Sequence, residues 1–218
     1  MKMFSVLAID GGAGTGKSTL SNLISTRNNF LYVETGSHYR ALTFLLLKKN
    51  LKPNSVEEYL RFNSLAIQSN INKNKAEIEI DGNKFSPEDL RSSQVNENVS
   101  HYAAVPLLRK SLFDYQRSQV DYARSLGLAG VILEGRDIGT KILPNADLKV
   151  FLHADTETRI KRRNDDGEAD AIRARDKIDS SRKSAPLACA SDALKIDTGE
   201  YSAEEVYSQV IEALKSCS

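Results

Sequence analysis

Phe4-Ser5-Val6-Leu7-Ala8-Ile9-Asp10 runs directly into Gly11-Gly12-Ala13-Gly14-Thr15-Gly16-Lys17-Ser18-Thr19. The first seven residues read as a buried strand. The next nine match G-x-x-x-x-G-K-[ST], a loop that holds phosphate. Each part has a chemical reason. Glycines let the chain bend so that successive N–H groups converge on one anion. Lys17 can reach the β- and γ-phosphates of a nucleotide, and the Ser18 hydroxyl can ligate Mg²⁺. Lys17 to Arg27 reads as a helix with Leu20, Leu23 and Ile24 on one side, so its positive N-terminus faces the same anion.

Further apolar runs follow at Phe30–Val33, Val131–Leu133, Leu148–Leu152 and Ala193–Ile196. They alternate with helical patterns over Ser37–Lys49, Ser55–Ile67, Pro106–Leu126 and the stretch opened by Ser202. Leu108, Leu112, Tyr115, Tyr122 and Leu126 form the expected buried stripe of the long helix. Val206, Val210 and Leu214 do the same for the last one. Ser86-Pro87 starts another helix, with Ser86 as N-cap and Pro87 at its first position. Ser202 to Glu205 is a capping box. Ile78 and Ile80 alternate with glutamates, and Asp81-Gly82 supplies a tight turn. The pattern predicts an α/β fold: a five-stranded parallel sheet covered by helices on both faces, plus a small antiparallel β insert. Ligands then bind beyond the carboxyl ends of the strands.

Thirty Lys+Arg against 29 Asp+Glu leave a formal charge of +1. That balance argues against a nucleic-acid coat or a polybasic membrane patch. No apolar run is long enough to span a bilayer. Met1-Lys2-Met3 does not read as the start of a secretory signal, and Cys189 and Cys217 lack metal-ligand spacing. The expectation is a cytoplasmic protein with free thiols, no membrane or nucleic-acid partner, and a monomeric state.

Four clusters fall after strands: the glycine-rich loop, Glu34 to Arg40, Glu134 to Thr140, and Arg175 to Arg182. The last lies in a stretch holding six arginines, among them Arg159, Arg162 and Arg163. Arg175 and Asp179 are four apart, and Asp179 and Arg182 three apart, so they share a helix face. That spacing lets two guanidinium groups flank an anion while a carboxylate accepts from a sugar hydroxyl. Other small-molecule kinases with this loop remain open on these residues. So does a nucleotide-hydrolysing switch, although the chain has no N-K-x-D guanine motif.

In combination these clusters resemble the bacterial-type cytidylate kinases (CMP/dCMP kinases). The resemblance covers roughly Phe4 to Leu214. It rests on Thr35-Gly36 with Tyr39-Arg40, Gly135-Arg136-Asp137 with Gly139-Thr140, Arg175-Asp176-x-x-Asp179-x-x-Arg182, and Ala185-Pro186-Leu187. It implies phosphoryl transfer from ATP to CMP or dCMP, with Mg²⁺, by a single P-loop kinase domain over residues 1–218. A nucleoside-monophosphate-binding insert would cover about 37–105, and a short Arg-rich lid about 158–183. Carried over by position, Gly11, Gly12, Ala13, Gly14, Thr15, Gly16, Lys17, Ser18 and Thr19 would hold the donor phosphates. Ser18 would be the metal ligand, and Arg162 would lie near the adenine. Lys17, Arg136, Arg175 and Arg182 would be the catalytic cations. Arg40, Arg136 and Arg182 would hold the acceptor and transferring phosphates, supported by Arg175. Asp179 would bind the sugar hydroxyls. Ser100, Arg109 and Asp137 would read the cytosine edge, with Thr35 in the same pocket. The Ser100 and Arg109 pair argues against the rival kinases. The chain departs from the family pattern in four places. Glu34-Thr35-Gly36 replaces Asp-Ser-Gly, Glu134 stands where many relatives carry Asp, Gly12 stands where Pro is common, and the segment between Arg163 and Arg173 is short.

Overall fold

The computed structural model describes residues 4–164, 171–182 and 185–217, without the side chains of 163–164 and 171–175. The chain begins with β1 (Ser5–Gly11), the glycine-rich loop and α1 (Lys17–Asn28). Gly16 caps α1 at φ 83°, a left-handed conformation that only glycine adopts at little cost. Then come β2 (Phe30–Glu34), α2 (Thr35–Lys48), α3 (Val56–Phe62), and a hairpin of β3 (Ile67–Asn72) and β4 (Lys75–Ile80). Next are α4 (Pro87–Arg91), α5 (Ser93–Tyr102), α6 (Pro106–Ser125) and β5 (Gly130–Gly135). After a helical turn at Ile138–Ile142, the chain forms β6 (Leu148–His153), α7 (Thr156–Asn164), α8 (Ala171–Ser181), β7 (Leu194–Asp197) and α9 (Ala203–Ser216).

One sheet holds all these strands in the order β3-β4-β2-β5-β1-β6-β7. The five expected core strands are parallel, with registers such as Val6↔Val131, Leu7↔Leu148 and Tyr32↔Ile132. The insert differs from expectation. It extends the same sheet, because β4 pairs in parallel with β2 through Tyr32↔Lys75 and Val33↔Ala76. Among the described strands only β3 runs antiparallel. The hairpin turns at Lys73 and Asn74, both at positive φ. Asp81-Gly82 makes a second tight turn that closes a single bridge, Ile80↔Asn83. The helix expected over Ser55–Ile67 stops at Phe62, because Asn63 is extended at φ −130° and Ile67 already belongs to β3.

Alternation along β1 divides the core. Leu7 and Ile9 pack with Leu20, Ile24, Val150 and Val210 on one face. Ala8 packs with Leu31, Val33, Val131 and Leu133 on the other. Each fully buried aliphatic side chain contributes about 1.5–3 kcal/mol. A third cluster, with Leu42, Leu46, Val56, Ile80, Tyr102 and Leu108, lies under the insert. On α6, Leu108 and Leu112 are buried as expected, but Leu126 is exposed. Tyr115 and Tyr122 are half-buried against the core, and Gln116, Gln119 and Ala123 complete the buried face.

His38 is fully buried, its ring 5.1 Å from that of Tyr115. Neither ring nitrogen has a hydrogen-bond partner among the described residues. Burial pulls its pKa down to about 3, against an opposing pull from Glu34. The folded chain therefore keeps His38 neutral while the unfolded chain protonates it below about pH 6.5. Stability supplied by this group is present above that pH and is lost as pH falls. The loss reaches about 2 kcal/mol by pH 5. His38→Leu removes it, so the stability difference between wild type and variant should shift by that amount between pH 7 and 5. Parallel denaturation curves at the two pH values would refute it.

Candidate active site

The carboxyl ends of β1, β5 and β2 open into one cleft of about 490 Å³. Strand order explains it. The chain leaves β1 in one direction toward β2, and leaves β5 in the other toward β6. A crevice forms where the two directions part.

β1 delivers the glycine-rich loop. Lys17 is buried and its Nζ donates to Gly12 O at 2.6 Å, beside the Thr15 hydroxyl donating to the same carbonyl at 3.0 Å. Burial, and next the Arg136 guanidinium, pull its pKa down to about 7 against Glu134 and Asp10. The Ser18 hydroxyl donates to Glu134 Oε1 at 2.9 Å, and Ser21 to Oε2 at 3.1 Å. Burial raises the Glu134 carboxyl above its usual range, and Glu34 adds to this. Ser18 thus presents a hydroxyl oxygen with a carboxylate behind it, a hard-oxygen setting that suits Mg²⁺. Arg162 donates to Thr198 Oγ1 at 3.1 Å and to Thr198 O at 2.6 Å. It lines a smaller hollow with Gly16, Thr19, Leu152 and Tyr201, next to the loop.

β2 and α2 deliver the next cluster. The Thr35 hydroxyl is committed to Glu134 O at 2.7 Å, tying α2 to β5. Burial raises the Glu34 carboxyl, but the Lys75 ammonium at 2.9 Å, together with Arg91 and Arg40, outweighs it and leaves the pKa below normal. Arg40 donates to Leu90 O at 2.8 Å and to Asn96 Oδ1 at 2.6 Å, and its side chain also lines the cleft.

β5 delivers Arg136 and Asp137. Arg109 from α6 donates to Asp137 Oδ2 at 2.6 Å and to Ala103 O at 3.3 Å, with its guanidinium 5.1 Å from the Tyr39 ring centroid. Burial keeps Asp137 above the usual carboxylate range despite Arg109. Asp179 from α8 gathers three elements. It accepts from Ser100 at 3.2 Å and Arg136 Nε at 2.9 Å, and pairs with Arg182. Arg136 also donates to Gly11 O at 3.0 Å, so it bridges the loop and Asp179. Ser100 therefore touches the carboxylate expected at the sugar as well as lining the expected base pocket. The Arg175 side chain lies outside the described residues, as do residues 165–170 and 183 of the expected lid. Every other expected site residue lies on this cleft or in the loop beside it.

Sequence reading missed several residues. Asp10, buried at the end of β1, accepts the N–H groups of Ile138 at 2.8 Å and Gly139 at 2.7 Å. It holds the turn that carries Arg136 and Asp137, and burial raises its pKa to about 6. A lone acid ending an apolar strand was the available signal. Tyr39 and Arg91 line the cleft too. Arg159 and Asp176 pair directly over the glycine-rich loop.

The family model for cytidylate kinase matches residues 7–216. A cytidylate kinase of Alkaliphilus oremlandii is 41% identical over 97% of this chain and 98% of its own length. One from Clostridium botulinum is 38% identical, covering 96% of this chain and 97% of that protein. A bifunctional pantoate ligase/cytidylate kinase of Prochlorococcus marinus is 35% identical over 97% of this chain and 43% of its own, longer chain. This chain belongs to the cytidylate kinase family.

Proposed function

We propose that the chain transfers the γ-phosphoryl group of ATP to CMP or dCMP, giving ADP and CDP or dCDP. The observation that carries this reading is the continuity of one cleft. Lys17 and the P-loop share it with Arg40, Arg136, Arg182 and the Ser100–Arg109–Asp137 group. Membership of the family supports it.

The acceptor is a phosphate that is already anionic, so no strong general base is required. A phosphate oxygen of CMP attacks the γ-phosphorus, and the bond from phosphorus to the β–γ bridging oxygen breaks. The electron pair leaves with ADP. Charge cancellation and alignment then supply the rate. Lys17 neutralises the β- and γ-phosphates. Arg136, which reaches both Gly11 and Asp179, stands between donor and acceptor sides. Arg182 and Arg40 hold the acceptor phosphate, because the guanidinium fork meets phosphate oxygens two at a time. Asp179 accepts from the sugar, with Arg175 in support. Arg109, Asp137, Ser100 and Thr35 shape the cytosine pocket, and Arg162 flanks the adenine. Ser18, backed by Glu134, would ligate Mg²⁺, which when bound neutralises charge across the β- and γ-phosphates. The segment about 37–105, with its own apolar cluster, acts as the acceptor-binding insert. The segment about 158–183 acts as the lid that keeps water out. The reading is of a cytoplasmic monomer acting on small molecules. Among the described residues no helix is long and apolar enough to cross a membrane.

A coupled assay of ADP release over CMP, dCMP, UMP and AMP tests this. Turnover should be high with CMP or dCMP and low with AMP. Phosphate release from ATP alone, without dependence on CMP, would favour a hydrolytic switch. Arg109→Met sharpens the test. It leaves Asp137 buried without its partner, at a cost of about 3 kcal/mol in stability. It should also reduce the preference for CMP over UMP by about tenfold or more, because a site built for hydrogen bonds penalises the wrong base strongly. The KM for ATP should hardly move. A folded variant with undiminished CMP preference would remove Arg109 from the base pocket.

A further inference from the structure

Two helices of the expected lid come down on one residue of the P-loop, Ala13. Arg159 from α7 donates Nη1 to Ala13 O at 3.3 Å. Asp176 from α8 accepts the Ala13 N–H through Oδ1 at 3.2 Å. The two side chains pair with each other through Nη1 and Oδ2. They are mostly buried, at 13% and 18% exposure, and Arg159 Nε is buried without a hydrogen-bond partner among the described residues. Gly12 leaves room for the pair. A Cβ there would stand 2.8 Å from Arg159 Nη1 and 3.2 Å from Asp176 Oδ2.

The address of this pair is what matters. An ion pair that only braced two helices would need no contact with the P-loop. Here the carboxylate sits on a loop N–H, the kind of donor that draws a phosphate oxygen. The guanidinium sits on the Ala13 carbonyl, and among the described residues its Nε–H has no acceptor. Phosphate is a better partner than carboxylate for that fork, since it carries more charge and more acceptor oxygens.

We propose that Arg159 is a donor-phosphate-binding residue and that Asp176 is its positioning partner. Asp176 holds the guanidinium over the loop. When ATP arrives, its phosphate takes the Ala13 N–H from Asp176 and the guanidinium from the ion pair. Asp176 thus competes with the donor, whereas Arg159 attracts it. This rests on the P-loop being the ATP site, as in the function proposed above.

The two variants should move ATP affinity in opposite directions. Calorimetric titration of ATP into Arg159→Met should show a dissociation constant raised about tenfold or more, as expected for losing one charge-assisted contact. Asp176→Asn keeps the shape and an amide oxygen for Ala13 N–H but removes the competing charge. Its dissociation constant should fall about threefold to tenfold. The KM for CMP should stay near wild type in both. If both variants weaken ATP binding, the pair is a structural brace and the proposal fails. It fails equally if neither changes. Arg159→Lys, which keeps the charge and loses the fork, covers the case in which the Met variant does not fold, and should weaken ATP binding severalfold. Wild type is titrated and assayed with CMP in parallel. A wild-type protein that binds no ATP overturns the proposed function itself. One that binds ATP while its variants fail to diverge overturns only the role of Arg159 and Asp176.

Discussion

Lys17→Ala should fold normally and lose about three orders of magnitude in kcat for phosphoryl transfer. The size follows from what the ammonium faces. Lys17 is buried, 2.6 Å from the Gly12 carbonyl, among Arg136, Glu134 and Asp10. In such a water-poor site a charge aimed at the β- and γ-phosphates is worth far more than at a surface. Loss of one preorganised cation of this kind commonly costs a hundredfold to a hundred-thousandfold in rate. The fold should survive for a separate reason. Burial and the Arg136 guanidinium already pull the Lys17 ammonium toward neutrality. Removing it therefore relieves one unfavourable interaction while it exposes Glu134, whose carboxyl is itself raised toward its neutral form. Thermal melting should place the variant within a few degrees of wild type, and single-turnover kinetics with saturating ATP and CMP should show the deficit. A folded variant with near-normal turnover would mean that the loop holds something other than the reacting phosphates.

The elements that were legible in the sequence are those whose local chemistry and tertiary environment agree. The run from Phe4 to Thr19 carries strand, turn and helix signals in the order the loop requires. Ser86 and Ser202 cap their helices through reciprocal bonds with Asp89 and Glu205, as their spacing predicts. β3 was not legible, because Ile67-Gln68-Ser69-Asn70-Ile71-Asn72 is mostly polar and half exposed. It exists because β4 offers it an edge, and because Lys73 and Asn74 tolerate a left-handed turn. The same division holds in the site. Residues with motif spacing, such as Asp179 and Arg182, could be picked out along the chain. Asp10 offered only its place at the end of an apolar strand, since its two N–H partners lie 128 and 129 residues away. The pairing of Asp176 with the loop, across 163 residues, could not be picked out. Thr35 shows a subtler limit. Its place on the cleft was legible, but the donation of its hydroxyl to Glu134 O was not.

Asp179 and Arg182 should separate into different kinetic defects, although they touch each other. Arg182 is almost buried, and among the described residues its charge is paired only with Asp179. Its task in transfer is to meet a phosphate that gains negative character. Arg182→Ala should therefore lower kcat by about a thousandfold, with the KM for CMP changed only a few fold. Asp179 instead offers acceptor oxygens, now used by Ser100, Arg136 and Arg182. Asp179→Ala would leave two guanidinium groups facing each other without their shared carboxylate, at a cost of about 3–5 kcal/mol. Asp179→Asn is the better probe, since it keeps an acceptor oxygen and the packing. It should raise the KM for CMP about tenfold while kcat falls much less, because the sugar contact is made in the ground state as well as the transition state. If the network were only a brace between α5, β5 and α8, both variants would melt earlier and, once folded, turn over CMP like wild type. Equal losses of kcat in the two variants would point elsewhere, to Asp179 acting by holding Arg136 and Arg182 rather than by meeting the sugar. CMP-dependent steady-state kinetics at saturating ATP, with melting curves for both proteins, distinguish these outcomes.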